Sequence, residues 1–285
     1  MSLRSKFRRI KAALFPFVRK KHFVELNNRI VVATHHKAGT VWLHNVFLRV
    51  SQDLGWKFCK GIAANLPEDF DVFAPGNCQI QAQQIQAPFK GLHMIRDPRD
   101  IIISGCFYHQ KAPEPWLQKK HSHFGGLSYQ EKLNSYQSVD DRILFEMEYA
   151  ARPCIQEMLA WNYHDPTFFE VKYEDLMSDE QLLLFHSIFA FLGVPGSAIP
   201  RALRIAFENS LFSGLPPITS HIRSGKTRQW EKYFTSHHHS RFIELFGDAL
   251  QRLGYESSDE WTADAPRQTI PIARSNELSE HRRAA

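Results

Sequence analysis

The residues best placed to do chemistry lie in one short run, Thr34-His35-His36-Lys37-Ala38-Gly39-Thr40-Val41-Trp42. An apolar β-branched stretch (residues 29–33, RIVVA) precedes it, and a stretch with Leu43, Phe47, Val50 and Leu54 on one helical face follows it. The run therefore reads as a strand-to-helix loop, where backbone N–H groups and the helix dipole make an anion site. Gly39 lets the backbone approach an anion closely, Thr40 puts a hydroxyl at the helix start, and Lys37 supplies a point charge. An ordinary turn with a surface lysine explains the same residues, and the Walker pattern G-x-x-x-x-G-K-[ST] occurs nowhere in the chain. His35 and His36 have the ring chemistry for proton transfer near neutral pH, with simple hydrogen bonding in the loop as the competing reading.

A second basic centre follows the apolar stretch 92–95. Arg96 ends that strand, Asp97-Pro98 supplies an N-cap and a first helical residue, and Ser104 falls about two turns into the helix. Arg96 and Ser104 can then face one small anion, the fork of the guanidinium matching a phosphate. A salt bridge from Arg96 to Asp97 or Asp100 is the alternative use of that charge.

The elements around these centres alternate. Beyond the two strands and their helices, the spacing predicts a long helix over 142–163, a third core strand over 168–173, and an apolar helix over 181–192 closing at Gly193. Strands alternating with helices imply an α/β fold, a single domain with a mostly parallel central sheet flanked by helices. The domain is expected over 29–261, with a basic arm before it (1–28) and a polar, aperiodic tail after it (262–285) expected to be disordered. Leu3, Phe7, Ile10 and Leu14 of the arm fall at helical spacing among arginines and lysines. Peripheral contact with anionic lipid and packing on its own domain both fit that pattern.

Composition sets bounds. The chain has 285 residues, 43% of them hydrophobic and 23% charged, with a net charge of +5. Those values describe an ordinary globular protein; the charge suits an anionic ligand but reads by default as a solvated basic surface, and no basic stripe interleaved with aromatics argues for nucleic acid. Cys59, Cys78, Cys106 and Cys154 lie far apart without a Cys-x-x-Cys pair, which speaks for a reducing, cytoplasmic setting and against a disulfide framework or a zinc site. No apolar run is long enough to span a membrane, and no secretory leader is recognisable. His121-Ser122-His123 and His237-His238-His239 read as solvated polar residues rather than metal ligands.

Four segments in order resemble the cytosolic-type sulfotransferase family, which uses 3′-phosphoadenosine 5′-phosphosulfate (PAPS) and releases PAP. The 34–42 run resembles its 5′-phosphosulfate loop, T-Y-P-K-S-G-T-T-W. The run from Arg96 to Ser104 resembles its 3′-phosphate motif, and Tyr173-Glu174-Asp175-Leu176 its Y-E-D-L strand end. Arg223-Ser224-Gly225 followed by Trp230-Glu231-Lys232-Tyr233-Phe234-Thr235 resembles its R-K-G…W-K-x-x-F-T region. The resemblance spans roughly residues 29–255, and by it the fold is P-loop-like. It implies that Lys37, Ala38, Gly39, Thr40, Val41 and Trp42 hold the phosphosulfate end, with Trp42 stacking on adenine unless it is a core residue. Arg96, Ser104, Arg223 and Gly225 then hold the 3′-phosphate, and Tyr173 and Phe207 reach the adenine. Ser224, where the family prefers Lys, removes one such contact.

By the same resemblance Lys37 stabilises the bridging oxygen as sulfuryl leaves PAPS, no metal is required, and the acceptor is a hydroxyl on a small molecule, lipid or glycan. The family's catalytic histidine is missing. The matching stretch 77–89 (NCQIQAQQIQAPF) carries glutamines, with Ile80-Gln81-Ala82-Gln83 nearest to I-K-T-H, and an amide takes no proton at neutral pH. His36 is the candidate base, with Glu68, Asp69 and Asp71 as others. The insertion 110–127 is expected to cover the acceptor. A non-catalytic PAP- or PAPS-binding protein is the alternative function, and a P-loop-type nucleotide kinase a weaker one.

Overall fold

Alternation along the first strand decides which layer each side chain enters. β1 (Arg29–Thr34) sends Ile30 and Val32 to one face of a sheet and Val31 and Ala33 to the other. The structure is a computed structural model that describes residues 23–76, 78, 80, 85, 87–210, 213 and 226–261.

After β1 come α1 (Thr40–Leu54), β2 (Phe58–Gly61), β3 (Val72–Pro75) and β4 (Phe89–Ile95). Helices α2 (Pro98–His109), α3 (Pro115–Gln118), α4 (Tyr129–Ser135), α5 (Val139–Glu148) and α6 (Ala151–Ala160) follow, then β5 (Phe168–Lys172). The chain continues through α7 (Tyr173–Met177), α8 (Leu183–Phe191), α9 (Ile199–Glu208), α10 (Ser236–Phe246) and α11 (Ala249–Arg252). The five strands form one sheet in the order β2-β3-β1-β4-β5, and every neighbouring pair is parallel. This is the α/β domain that the alternation predicts, with a sheet that is wholly rather than mostly parallel.

Helix α1 packs with α8 and α9 against one face, in a cluster with Ile30, Val32, Leu92 and Met94. Helix α2 packs instead with α5, α6, α10 and α11. Adjacent strands β1 and β4 thus send their following helices into different layers. In open α/β sheets that divergence opens a crevice at the carboxyl ends of the strands, the usual place for a ligand.

Local chemistry sets the helix ends. Gly39 caps α1 at φ 93° and Gly55 ends it at φ 82°, conformations a glycine adopts without strain. Asp97 caps α2 by accepting from the Arg99 N–H at 2.9 Å, with Pro98 at the first helical position.

The expected long helix over 142–163 is two helices. Pro153 lies in the first turn of α6, where its ring excludes the carbonyl of Tyr149 from a continuous helix and offers it no N–H. The strand expected over 168–173 ends one residue earlier, so Tyr173 stands at the strand–helix junction. Strands β2 and β3 are too short to signal themselves in the sequence. His238 is a further correction. It is fully buried, and its Nδ1 accepts from the Thr235 N–H at 3.0 Å, completing a cap for α10. His239 Nε2 lies 2.8 Å from the carbonyl of Asp259.

Residues 23–28 pack on the domain, since Val24 N–H donates to Leu54 O at 3.1 Å and Trp56 Nε1 donates to Val24 O at 2.6 Å. Arg99 ties the far end of the chain to the start of α2. Its guanidinium bonds Asp97 and Glu256 at 2.6–2.9 Å and sits 3.8 Å from the Trp230 ring and 4.8 Å from the Trp261 ring. Among the described residues, no helix is long and apolar enough to cross a membrane, and all four cysteines are free.

Candidate active site

The 34–42 loop leaves the central strand at the crevice between β1 and β4. Ala38 N–H donates to His35 O at 3.0 Å, which closes a turn in which Lys37 has φ 62°. A lysine in the left-handed region carries strain that the surroundings must hold in place. Thr40 does part of this, donating its hydroxyl to His35 O at 2.8 Å while accepting from the Thr34 hydroxyl at 2.9 Å. Arg96 does the rest, donating Nη1 to Lys37 O at 3.0 Å.

Arg96 is buried at the end of β4. Its Nη2 donates to Asp100 at 3.2 Å, its guanidinium lies 4.6 Å from the centre of the Tyr173 ring, and its Nε is buried with no hydrogen-bond partner. Arg96 thus makes the ion pair with Asp100 across the start of α2 and also supports the loop. Asp100 also accepts from Trp230 N–H at 3.1 Å, and burial raises its carboxyl.

Gly39 lies directly on Tyr173. A Cβ there would sit 2.8 Å from a ring carbon of Tyr173, so only glycine permits the approach. Trp42 meets Tyr173 and Phe185 edge-on, at 6.0 and 6.1 Å, and donates Nε1 to Asn209 O at 2.9 Å. It is a half-buried residue packed on the core. Phe207 is 40% exposed near the end of α9, two residues before that Asn209. Ser104 is half-buried on α2, on the stretch that begins with the Arg96 strand end. Arg223 and Gly225 lie outside the described residues, as do Gln81 and Gln83.

The Lys37 ammonium rests 3.2 Å from the centre of the Tyr108 ring. The Tyr108 hydroxyl donates to Glu114 at 2.9 Å, and burial pushes that phenol up to about 12. Burial also pushes Glu114 up, but hydrogen bonds from Trp116 and Tyr108 outweigh it and hold the carboxyl below its usual range.

The two loop histidines point to different layers. His36 Nε2 lies 2.9 Å from His109 Nε2, the two rings stacked with Trp116 edge-on beside them. His109 Nδ1 lies 2.9 Å from Glu146, which also accepts from the Tyr129 hydroxyl at 2.7 Å. In the tautomer in which His109 Nδ1–H donates to Glu146, its Nε2 is an acceptor. His109 Nε2 then accepts from His36 Nε2–H, which leaves His36 Nδ1 with a lone pair. Burial, then the neighbouring His109 and Lys37, lower His36 to about 4.

His35 turns to the opposite side. Its Nε2 lies 2.9 Å from His93 Nε2, and His93 Nδ1 lies 2.5 Å from Glu170. Burial lowers His35 to about 4 and His93 to about 3, and raises Glu170 to about 8. Glu68 and Asp69 are exposed, Asp69 pairs with Lys57, and Asp71 accepts from the Lys57 N–H, all beside β2 and β3. They join neither histidine pair. His109, Glu146, Tyr108, His93 and Glu170 escaped the sequence reading, because the partners that give each of them a role are distant in sequence.

The sulfotransferase domain family matches residues 79–254, more than half of the chain. The chain belongs to that family and is an enzyme of the sulfotransferase class. The match begins beyond the 34–42 loop. No curated protein sequence matches the chain. Among solved structures, a mouse sulfotransferase, SULT7A1, complexed with PAP, aligns with a TM-score of 0.51 and 18% identity over 81% of this chain and 86% of that one. A retinol dehydratase in a complex with retinol and PAP aligns with a TM-score of 0.49 and 16% identity over 86% of this chain and 85% of that one. The first likeness shows the shared fold.

Proposed function

We propose that this enzyme transfers a sulfuryl group from PAPS to an acceptor hydroxyl, releasing PAP. The observation that carries the reading is the strained 34–42 turn, held open at the crevice with Lys37 on it and with its backbone pinned by Arg96. Successive N–H groups in such a turn, at a helix start, form a concavity suited to an anion. The related mouse enzyme was solved with PAP, which fits the same assignment.

In the transfer, the acceptor oxygen attacks sulfur in line as the bond from sulfur to the bridging oxygen breaks. The electron pair of that bond stays on the departing 5′-phosphate, and Lys37 offsets its charge. The hydroxyl proton passes to Nδ1 of His36, the nitrogen left open by the contact with His109. Arg96 and Ser104 serve the 3′-phosphate, joined by Arg223 and Gly225, while Trp42, Tyr173 and Phe207 serve the adenine. Segment 110–127, which carries Trp116 to the edge of His36, covers the acceptor. The acceptor class is a small-molecule, lipid or glycan hydroxyl.

The test is a transfer assay with PAPS labelled in the sulfuryl group, run against cell extracts and followed by mass spectrometry of the product. Calorimetry with PAP accompanies it. Tight PAP binding without any labelled product would replace the catalytic reading with a binding one, and no PAP binding would remove both.

A further inference from the structure

Three side chains from separate segments meet on the sheet face that α1 does not cover. They are His35 after β1, His93 in β4 and Cys78 after β3. Both histidines are fully buried and Cys78 is 7% exposed. One ring nitrogen of each histidine and the Cys78 Sγ all lie within 4.8 Å of one another.

Each ring has a carboxyl neighbour on its Nδ1 side. His93 Nδ1 is 2.5 Å from Glu170, and His35 Nδ1 has the carboxylate of Glu157 at 3.8 Å. With a proton on each Nδ1, two Nε2 lone pairs face each other at 2.9 Å. If His35 instead carries its proton on Nε2, that clash is relieved, but a bare Nδ1 lone pair then turns toward a carboxylate. That Nδ1 is indeed buried with no hydrogen-bond partner. A metal cation on the Nε2 side satisfies both rings at once, in the carboxylate–histidine–metal arrangement that orients ligand imidazoles.

The donor set selects the ion. Two imidazoles and one thiol suit a borderline or soft metal. Burial pushes the Cys78 thiol up, and a divalent ion displaces its proton to solvent and offsets the thiolate charge that results. We propose that His35, Cys78 and His93 bind zinc(II), with Glu170 and Glu157 holding the Nδ1 protons of the two histidines. Zn–N bonds of 2.0–2.1 Å in a tetrahedral site put nitrogens about 3.4 Å apart, so the histidine pair opens by about half an ångström on binding. Trp161 shields the site, stacking on His93 at 4.0 Å and donating Nε1 to Glu170 at 2.8 Å. The ion ties the first residue of the anion-loop turn to β4 and to the segment after β3, independently of which donor the loop takes.

The experiment uses the untagged full chain. Metal content is measured by mass spectrometry, and the chelator-stripped protein is titrated with zinc and with cobalt(II). The expected result is one zinc per chain and a cobalt complex with a thiolate charge-transfer band, together with a higher melting temperature in zinc. Cys78→Ser and His93→Gln should abolish tight uptake, and Glu170→Gln should weaken it about 10–100-fold. The cobalt spectrum of the wild-type chain needs no variant to fold. Stripped protein that takes up no zinc, or a cobalt complex without the thiolate band, overturns the assignment. So does metal that survives Cys78→Ser and His93→Gln but is lost in His109→Gln, since that would place it among His36, His109 and Glu114.

Discussion

Arg96 donates to the backbone carbonyl of Lys37 at 3.0 Å, joining residues 59 positions apart. The contact makes the strand-end arginine a support of the loop as well as a candidate for the 3′-phosphate. Arg96→Ala should therefore weaken adenosine 5′-phosphosulfate through the loop and PAP further, through the 3′-phosphate as well, and it should strand the buried Asp100 at a stability cost of about 3 kcal/mol. Ser104→Ala is the discriminating variant. Loss of one hydrogen bond to a charged group costs about 1.5–3 kcal/mol, so PAP affinity should drop roughly tenfold to a hundredfold with adenosine 5′-phosphosulfate unchanged. Calorimetry with both ligands reads the difference, and equal losses in Ser104→Ala would put the 3′ site elsewhere.

Lys37→Ala should abolish turnover while PAP, which lacks the sulfuryl group, binds within several-fold of wild type. Single-turnover assays and PAP titration measure the two separately. A loss of PAP affinity as large as the loss of rate would mean that the lysine merely binds the nucleotide.

Gly39→Ala tests the close approach between the loop and Tyr173. Left-handed backbone costs an alanine about 1–2 kcal/mol, and the new methyl meets the Tyr173 ring at 2.8 Å. Urea denaturation should show at least that loss, and PAP binding should weaken with it. An unchanged urea midpoint would contradict the geometry of the turn.

His36→Gln should lower the rate by about two to four orders of magnitude, the usual worth of a positioned general base. PAP affinity should be preserved, because the turn and Lys37 remain. Near-normal turnover in this variant would remove His36 as the base.

Glu174 gives a pH signature. It accepts from the Asp97 N–H and the Tyr255 hydroxyl, each at 3.1 Å, and burial raises it from 4.5 to about 7. The folded state keeps a proton that the unfolded state has released, so this contribution is complete below about 4.5 and is lost as pH rises through about 7. At 1.36 kcal/mol per unit the decline is about 3 kcal/mol. Glu174→Gln has no proton to lose, and the difference in urea stability between variant and wild type should grow from pH 4.5 to pH 7. A constant difference across that range refutes the shift.

The loop, the cap at Asp97 and the parallel sheet were legible because each depends on neighbours in sequence. Gly39 before a helical face, Asp97-Pro98 at a helix start and the apolar run at 29–33 are local signals. The pairing of His36 with His109, and of His35 with His93, is not local. Each pair spans more than 50 residues, and only the register of β1 beside β4 and the packing of α2 bring them together. The break between α5 and α6 was legible in principle, since Pro153 was in view; the apolar spacing on both sides of it masked the interruption.

The ion pairs and ring contacts of Arg99 set an order on the making of the protein. A ribosome delivers Arg99 long before Glu256, which follows 157 positions later, and later still Trp261. Until those two emerge, the guanidinium has Asp97 as its one neutralising partner among the groups described around it, and the first turn of α2 lacks part of its cover. The start of α2 is thus among the early parts of the chain to be synthesised and among the last to be enclosed. Truncation before residue 256 leaves a buried cation half-compensated, which gives quality-control proteases a reason to distinguish unfinished chains from complete ones.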